Sequence, residues 1–441
     1  MNKTPDIMDR VYLYKNRGKS VVTLVGVTID EVVKHDILRE AVKESLKVFY
    51  LFSLQPFFTA DNKVEFKENP NEVPVYRLDE GKHLLGSADT NGYMFCVYYE
   101  EDRIKLSASH VVGDARADID FLERIVFEYY RLKGAFSADN TGSEDVPSIR
   151  PEEEAFTGLY EAALSHIENI ETKSDETKAA DCEILFPTYI EKTDRPYDSG
   201  RLYMKRSISF SYDSLLKIAK RYDVSPSLII SDAISRAMER VYDTEGKNFK
   251  ICVSVDMRNK YGVDSMHNFA TGIYLIYPSD GGKPEPEKRY EILKEEFKRA
   301  LDFNKLSKGI KEDAELMKML EAYLNLNDYK SVEAVVNKGL MDKLPSFYIA
   351  SMGRFNFKES IRDHIKTVDF NGVPTTGETC YYSFVYEGRY TLNIAGCHEN
   401  KETSEALVNI LNEMGLDACE DASGLEDTDF LDVNGFIRLS F

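Results

Sequence analysis

Hydrophobic and polar positions switch between two periods along this chain, and the switches outline alternating strands and helices. From Arg103 to Ser109 charged and apolar residues take turns, the two-residue period of a half-buried strand. Tyr93 to Tyr99 reads as its hairpin partner across Glu100-Glu101-Asp102. Before the hairpin, a strand is predicted at Val21 to Val27 and a helix from about His35 to Phe49, where Ile37, Leu38, Ala41, Val42, Leu46 and Phe49 recur near helical period. After it, a helix is predicted from about Ala117 to Leu132. The second half repeats the alternation, with strands at Tyr203 to Phe210, Phe249 to Val255, Gly272 to Tyr277, Ser346 to Met352, Tyr381 to Tyr386 and Arg389 to Ala395. Helices are predicted near Tyr212 to Tyr222, Glu287 to Asp302, Glu312 to Leu326 and Ser404 to Met414, and another opens at Ser225-Pro226, serine as cap and proline in the first turn. Between about 138 and 181 the chain turns polar and acidic around a helix at Glu153 to Glu168. That stretch reads as a crossover linker between an N-terminal half, 1–175, and a C-terminal half, 176–441. The class is α/β.

A length of 441 residues suits two cores better than one. A net charge of -20 argues against nucleic acid and anionic membranes as partners, because a polyphosphate surface needs a cationic footprint. The cysteines at 96, 182, 252, 380, 397 and 419 form no C-x-x-C and show no metal-ligand spacing, so free thiols in a reducing cytoplasm are expected, and no metal. No apolar leader opens the chain and no run of eighteen apolar residues occurs, so neither a secretion signal nor a membrane span is expected.

The candidate chemistry centres on His110, in Ser109-His110-Val111-Val112-Gly113-Asp114. It sits where a strand ends and a turn containing Gly113 leads into a helix, a place from which an imidazole can be aimed into a cleft. The His-x-x-x-Asp spacing alone would arise by chance about half the time in such a chain, so its context decides. Competing readings are weaker. There is no G-x-S-x-G nucleophile elbow, and Gly281-Gly282-Lys283 precedes Pro284 and is no phosphate loop. Asp118 and Asp120 read as first-turn residues favouring a helix N-terminus, and Tyr381, Tyr382 and Tyr348 as strand packing residues.

Taken in order, the motifs resemble those of a known family. They are Leu38-Arg39-Glu40-Ala41 in the first helix, His110-x-x-x-Asp114 at a strand end, Ser225-Pro226-Ser227, a strand ending in Asp256-Met257-Arg258-Asn259, Asn268-x-x-x-Gly272, and Ser351-Met352-Gly353-Arg354. Together they resemble the chloramphenicol-acetyltransferase-like and condensation-domain superfamily of acyltransferases, closest in character to its alcohol acetyltransferase and polyketide-associated members. The resemblance implies two sandwich halves of mixed sheets with helices, meeting in a V around a central channel. His110 would be the general base at its middle. Asp114 and Arg258 would form an ion pair that, with Gly113, supports the histidine loop. Ser351 and Tyr348 are candidates for lining the channel or donating to an oxyanion.

The same resemblance implies an acyl donor that is a thioester, acyl-CoA or carrier-protein phosphopantetheine, with no permanently bound cofactor. The acceptor would be a small molecule bearing a hydroxyl or amine, and the enzyme a cytoplasmic monomer. Amide-forming condensation on an acyl carrier protein is the alternative, as is a catalytically silent binding module of the same fold. Three positions depart from the family pattern: Ser109 where a first histidine is common, Ala115 where glycine is, and Ser351 where a stretch that usually reads Ser-Asn-x-Gly carries asparagine.

Overall fold

In the computed structural model, residues 4–14, 22–60, 63–136, 157–171, 202–244, 247–279, 285–323, 345–372, 379–396, 401–427 and 429–431 are described. Most of the acidic linker, together with Cys182, Cys397 and Gly281-Gly282-Lys283, lies outside them. In chain order the strands of the first half are β1 (Val22–Ile29), β2 (Leu54–Phe58), β3 (Val64–Glu68), β4 (Val75–Arg77), β5 (Leu84–Leu85), β6 (Phe95–Glu100) and β7 (Arg103–Ser109). Those of the second are β8 (Leu202–Ser211), β9 (Asn248–Asp256), β10 (Ala270–Pro278), β11 (Phe347–Arg354), β12 (Ile365–Gly372), β13 (Cys380–Tyr386), β14 (Arg389–Gly396), β15 (Cys419–Asp427) and β16 (Phe430–Leu431).

They build two large sheets, a five-stranded one in the order β12-β1-β7-β6-β4 and a seven-stranded one in the order β10-β9-β11-β13-β14-β8-β15. Each sheet has its own core. Ile104, Leu106 and Ala108 of β7 join Phe121, Leu122 and Ile125 of the helix Ala115–Leu132 in the first. The alternate residues Lys105 and Ser107 therefore point to the other face. In the second core the stripe Leu228, Ile229, Ala233, Ile234, Ala237 and Met238 of the helix Pro226–Val241 packs with Phe249, Ile251 and Val253 of β9. β12 belongs to the C-terminal half by sequence, yet pairs antiparallel with β1 along its whole length and forms the edge of the first sheet.

Most elements lie within a few residues of their predicted bounds, and β7 and the helix Tyr212–Tyr222 match them. Three local details differ. Ser225 occupies the N-cap, but its hydroxyl makes no capping bond, so the fixed φ of Pro226 carries the helix start. Asp118 does lie in the first turn, but it is fully buried beside Thr23 and Asp114, and burial pushes its carboxyl well above the ordinary range. Burial thus disfavours the charge that would serve the helix dipole, and Asp114 at the N-cap takes that place. Finally, an unforeseen helix at Ile7–Tyr14 lies against the helix Phe303–Tyr323, joined to it by the Arg10–Glu321 ion pair at 2.8 Å.

Candidate active site

β7 delivers the site. Its pairing with β1 runs to Val22↔Ser109, and the Ser109 N–H still bonds to the Met94 carbonyl at 3.0 Å, so the sheet ends one residue before His110. The buried Ser109 hydroxyl accepts from the Val111 N–H at 3.3 Å, and the Ser109 carbonyl accepts from Val112 at 3.1 Å. A serine here thus ties the first turn of the loop, a local task that a second histidine would do less compactly.

His110 Nδ1 lies 3.1 Å from the Gly113 carbonyl oxygen. A carbonyl can only accept, so Nδ1 carries the proton and Nε2 the lone pair. The contact therefore favours the tautomer protonated on Nδ1. The Tyr12 ring packs against the imidazole, centroids 5.1 Å apart, and the Asn268 side-chain amide donates to the His110 carbonyl. Ring, tautomer and backbone are each held by a different element.

Gly113 is required by space rather than by backbone angle. A Cβ there would stand 2.8 Å from the Ala117 Cβ and 3.4 Å from the Met266 carbonyl oxygen. Gly113→Ala should therefore cost about 1–3 kcal/mol by overpacking. Denaturant unfolding measures this, and an unchanged midpoint would mean that the loop has slack.

Behind the loop, Asp114 caps the helix Ala115–Leu132 by accepting from the N–H groups of Arg116 and Ala117 at 3.1 and 3.2 Å. It also accepts from both guanidinium nitrogens of Arg258, at 2.8 and 2.9 Å, and from the Phe269 N–H at 3.0 Å. Burial works to raise its pKa, but Arg258 and the backbone N–H groups outweigh burial and hold the carboxyl below its ordinary range. Arg258 spends its other donors on the carbonyls of Ser265 and His267, both at 2.8 Å, and on Asp256 at 3.1 Å. One guanidinium thus joins the His110 loop to the 256–269 segment of the other half.

A second buried pair, absent from the sequence reading, lies beside the first. Asp9, 1% exposed, accepts from the N–H groups of Asp6 and Asn268, at 2.7 and 2.9 Å, and bonds to His267 Nδ1. The signal for it is the spacing of Ile7 and Val11, four apart, with Met8 and Tyr12 beside them. Asn268 and Gly272 were noticed as a pattern without roles. Asn268 holds the His110 backbone, and a Cβ on Gly272 would stand 2.8 Å from the Cys252 sulfur.

Tyr348 and Ser351 sit on β11. The Tyr348 hydroxyl is pushed well up by burial, and Cys252 and Tyr12 act on it in the same direction. Ser351 is exposed, in register with Ser383, just before the pairing shifts ahead of Arg354. The structure brings His110, Gly113, Asp114 and Arg258 together.

No family model and no curated protein matches the chain. Solved structures do. Polyketide synthase associated protein 5 from Mycobacterium tuberculosis matches 89% of this chain and 92% of its own, at 12% identity and a TM-score of 0.59. TRI101 of F. sporotrichioides, solved with coenzyme A and T-2, matches 95% and 100%, at 14% identity and 0.56. The condensation domain of the Monacolin K polyketide synthase MokA matches 95% and 99%, at 12% identity and 0.55.

Proposed function

Starting from a chain that has the two-lobed α/β fold of the chloramphenicol-acetyltransferase-like and condensation-domain superfamily, we propose that the protein is an acyltransferase, with His110 as the general base. It moves an acyl group from a thioester to an alcohol or amine. The observation that carries this reading is the Nδ1 contact of His110 with the Gly113 carbonyl, which favours a proton on Nδ1 and so makes Nε2 the basic nitrogen. Attack on a thioester requires a proton acceptor of near-neutral pKa as the new bond forms, and imidazole is the side chain that fits. His110 takes the proton from the acceptor's hydroxyl or amine. The thiolate then leaves, and the proton passes to it or to solvent.

Asp114, Arg258 and Gly113 support this base without touching substrate, Asp114 being fully engaged by Arg258 and backbone N–H groups. Donor and acceptor reach His110 through a channel between the lobes, with Tyr348 and Ser351 on its far wall. Diffusible acyl-CoA is the preferred donor, supported by the TRI101 structure holding coenzyme A. The match over nearly all of the MokA condensation domain favours a second reading, in which a carrier protein presents the acyl group. A catalytically silent module of this fold has no use for the selected tautomer. Among the described residues no helix is long and apolar enough to cross a membrane.

The test is thioester consumption, measured with pooled alcohols and amines and without acceptor. An active enzyme releases thiol slowly alone and faster with an acceptor. No release from acyl-CoA but release from acylated carrier protein would select the second reading, and none from either the silent module.

A further inference from the structure

Away from the His110 loop, three potential metal ligands meet at the edge of the first sheet. His83 precedes β5, Cys96 lies in β6 and Asp429 precedes β16, and one ligand atom from each lies within 4.8 Å of the others. Cys96 and Asp429 are fully buried and His83 is half-buried. Asp429 Oδ1 accepts from the His83 N–H at 2.7 Å and from the Tyr98 hydroxyl at 2.6 Å, and that hydroxyl lies 2.8 Å from His83 Nδ1. Asp429 Oδ2 is different. It is buried and has no hydrogen-bond partner. A carboxylate oxygen in that condition costs free energy unless something cationic completes it.

We propose that His83, Cys96 and Asp429 bind a zinc-like divalent cation, with the Tyr98 hydroxyl at its edge. A sulfur, nitrogen and oxygen donor set suits zinc. Its bonds of about 2.0–2.3 Å set tetrahedral donors roughly 3.3–3.8 Å apart, so these side chains need draw in by only about 1 Å. Binding exchanges the Cys96 thiol proton, released to solvent, for a metal–thiolate bond; without metal, burial keeps that thiol protonated. The cation would pin the 429–431 segment, which pairs with β5 at Phe430↔Leu84 and Leu431↔Leu85. Lys82 opposes it: its ammonium lies 4.2 Å from the Tyr98 ring centroid, and it is one of the charges acting on Cys96. No sequence motif marks the site, because its donors stand 13 (96 minus 83) and 333 (429 minus 96) positions apart.

The test uses the full chain stripped with a chelator and titrated with cobalt(II). One equivalent should bind, produce a thiolate-to-cobalt charge-transfer band, and give way to zinc. The band should vanish in Cys96→Ser. Affinity should fall at least tenfold in Asp429→Asn and rise in Lys82→Gln, while zinc should raise the melting temperature of the parent but not of Asp429→Asn. Should Cys96→Ser fail to fold, His83→Gln, at a half-buried position, must weaken cobalt binding at least tenfold. Binding below one equivalent, a band that survives Cys96→Ser, or equal affinity in Asp429→Asn or His83→Gln would overturn the proposal.

Discussion

His110→Ala is expected to lower acyl transfer by about 100- to 10,000-fold, the usual worth of a positioned base, while leaving the melting temperature close to that of the parent. The separation of the two effects is the point. The His110 side chain is half-exposed and meets the Gly113 carbonyl of its own loop, whereas the backbone around it is held independently by Ser109 and Asn268. Removing the ring therefore removes the base and little of the fold. His110→Gln, which can keep a donor towards Gly113 but offers no basic nitrogen, should be as inactive as alanine. Single-turnover thiol release beside a thermal melt checks both statements. Turnover within a few-fold of the parent would end the assignment of His110 as base.

Arg258→Met should do the opposite, costing stability first. The side chains of Arg258 and Asp114 are 6% and 4% exposed, and the substitution leaves the Asp114 carboxylate buried without its counter-charge. Breaking such a pair from one side costs about 3–5 kcal/mol. It also orphans the carbonyls of Ser265 and His267, so activity should fall with the loop. Asp114→Asn combined with Arg258→Met should cost less than the sum of the two single changes, since neither partner is then left charged and alone.

The pH dependence has a definite sign. Asp114 titrates below its unfolded value when folded, so its contribution is present above that value, about 3.9, and is lost as pH falls through the lower folded one. The difference between parent and Arg258→Met should accordingly be largest near neutral pH and shrink on acidification. Denaturant unfolding at pH 7 and at successively lower pH below about 3.9 measures it, and a difference that grows towards acid would contradict the ion-pair account.

Local physics carried much of this from the residue order. A two-residue period from Arg103 to Ser109 followed by Gly113 and a helical stripe places His110 at a strand end, because pleat and helix impose their periods on which side chains can be buried. The buried stripe from Leu228 to Met238 was legible for the same reason. Long-range association left no such trace. β12 completes the first sheet by pairing with β1, more than 330 positions earlier (365 minus 29 is 336), and a strand's own pattern does not name its partner. The helix at Ile7–Tyr14, which supplies Tyr12 and Asp9 to the site, looked like an unremarkable terminus.

Asp118 shows the limit within a single helix: residue type and position suggested a first-turn acid favouring the helix N-terminus, and only the packing of β1 against that helix decided that it is buried. The residue order by itself determined the alternation of elements, the place of His110 and, through the order of its motifs, the superfamily they resemble. Only the tertiary structure decided the tautomer of His110, the burial that makes Asp114 and Arg258 interdependent, and the meeting of His83, Cys96 and Asp429. Each of those depends on distances between atoms that the chain brings together by burying apolar surface elsewhere, and burial is a property of the folded whole.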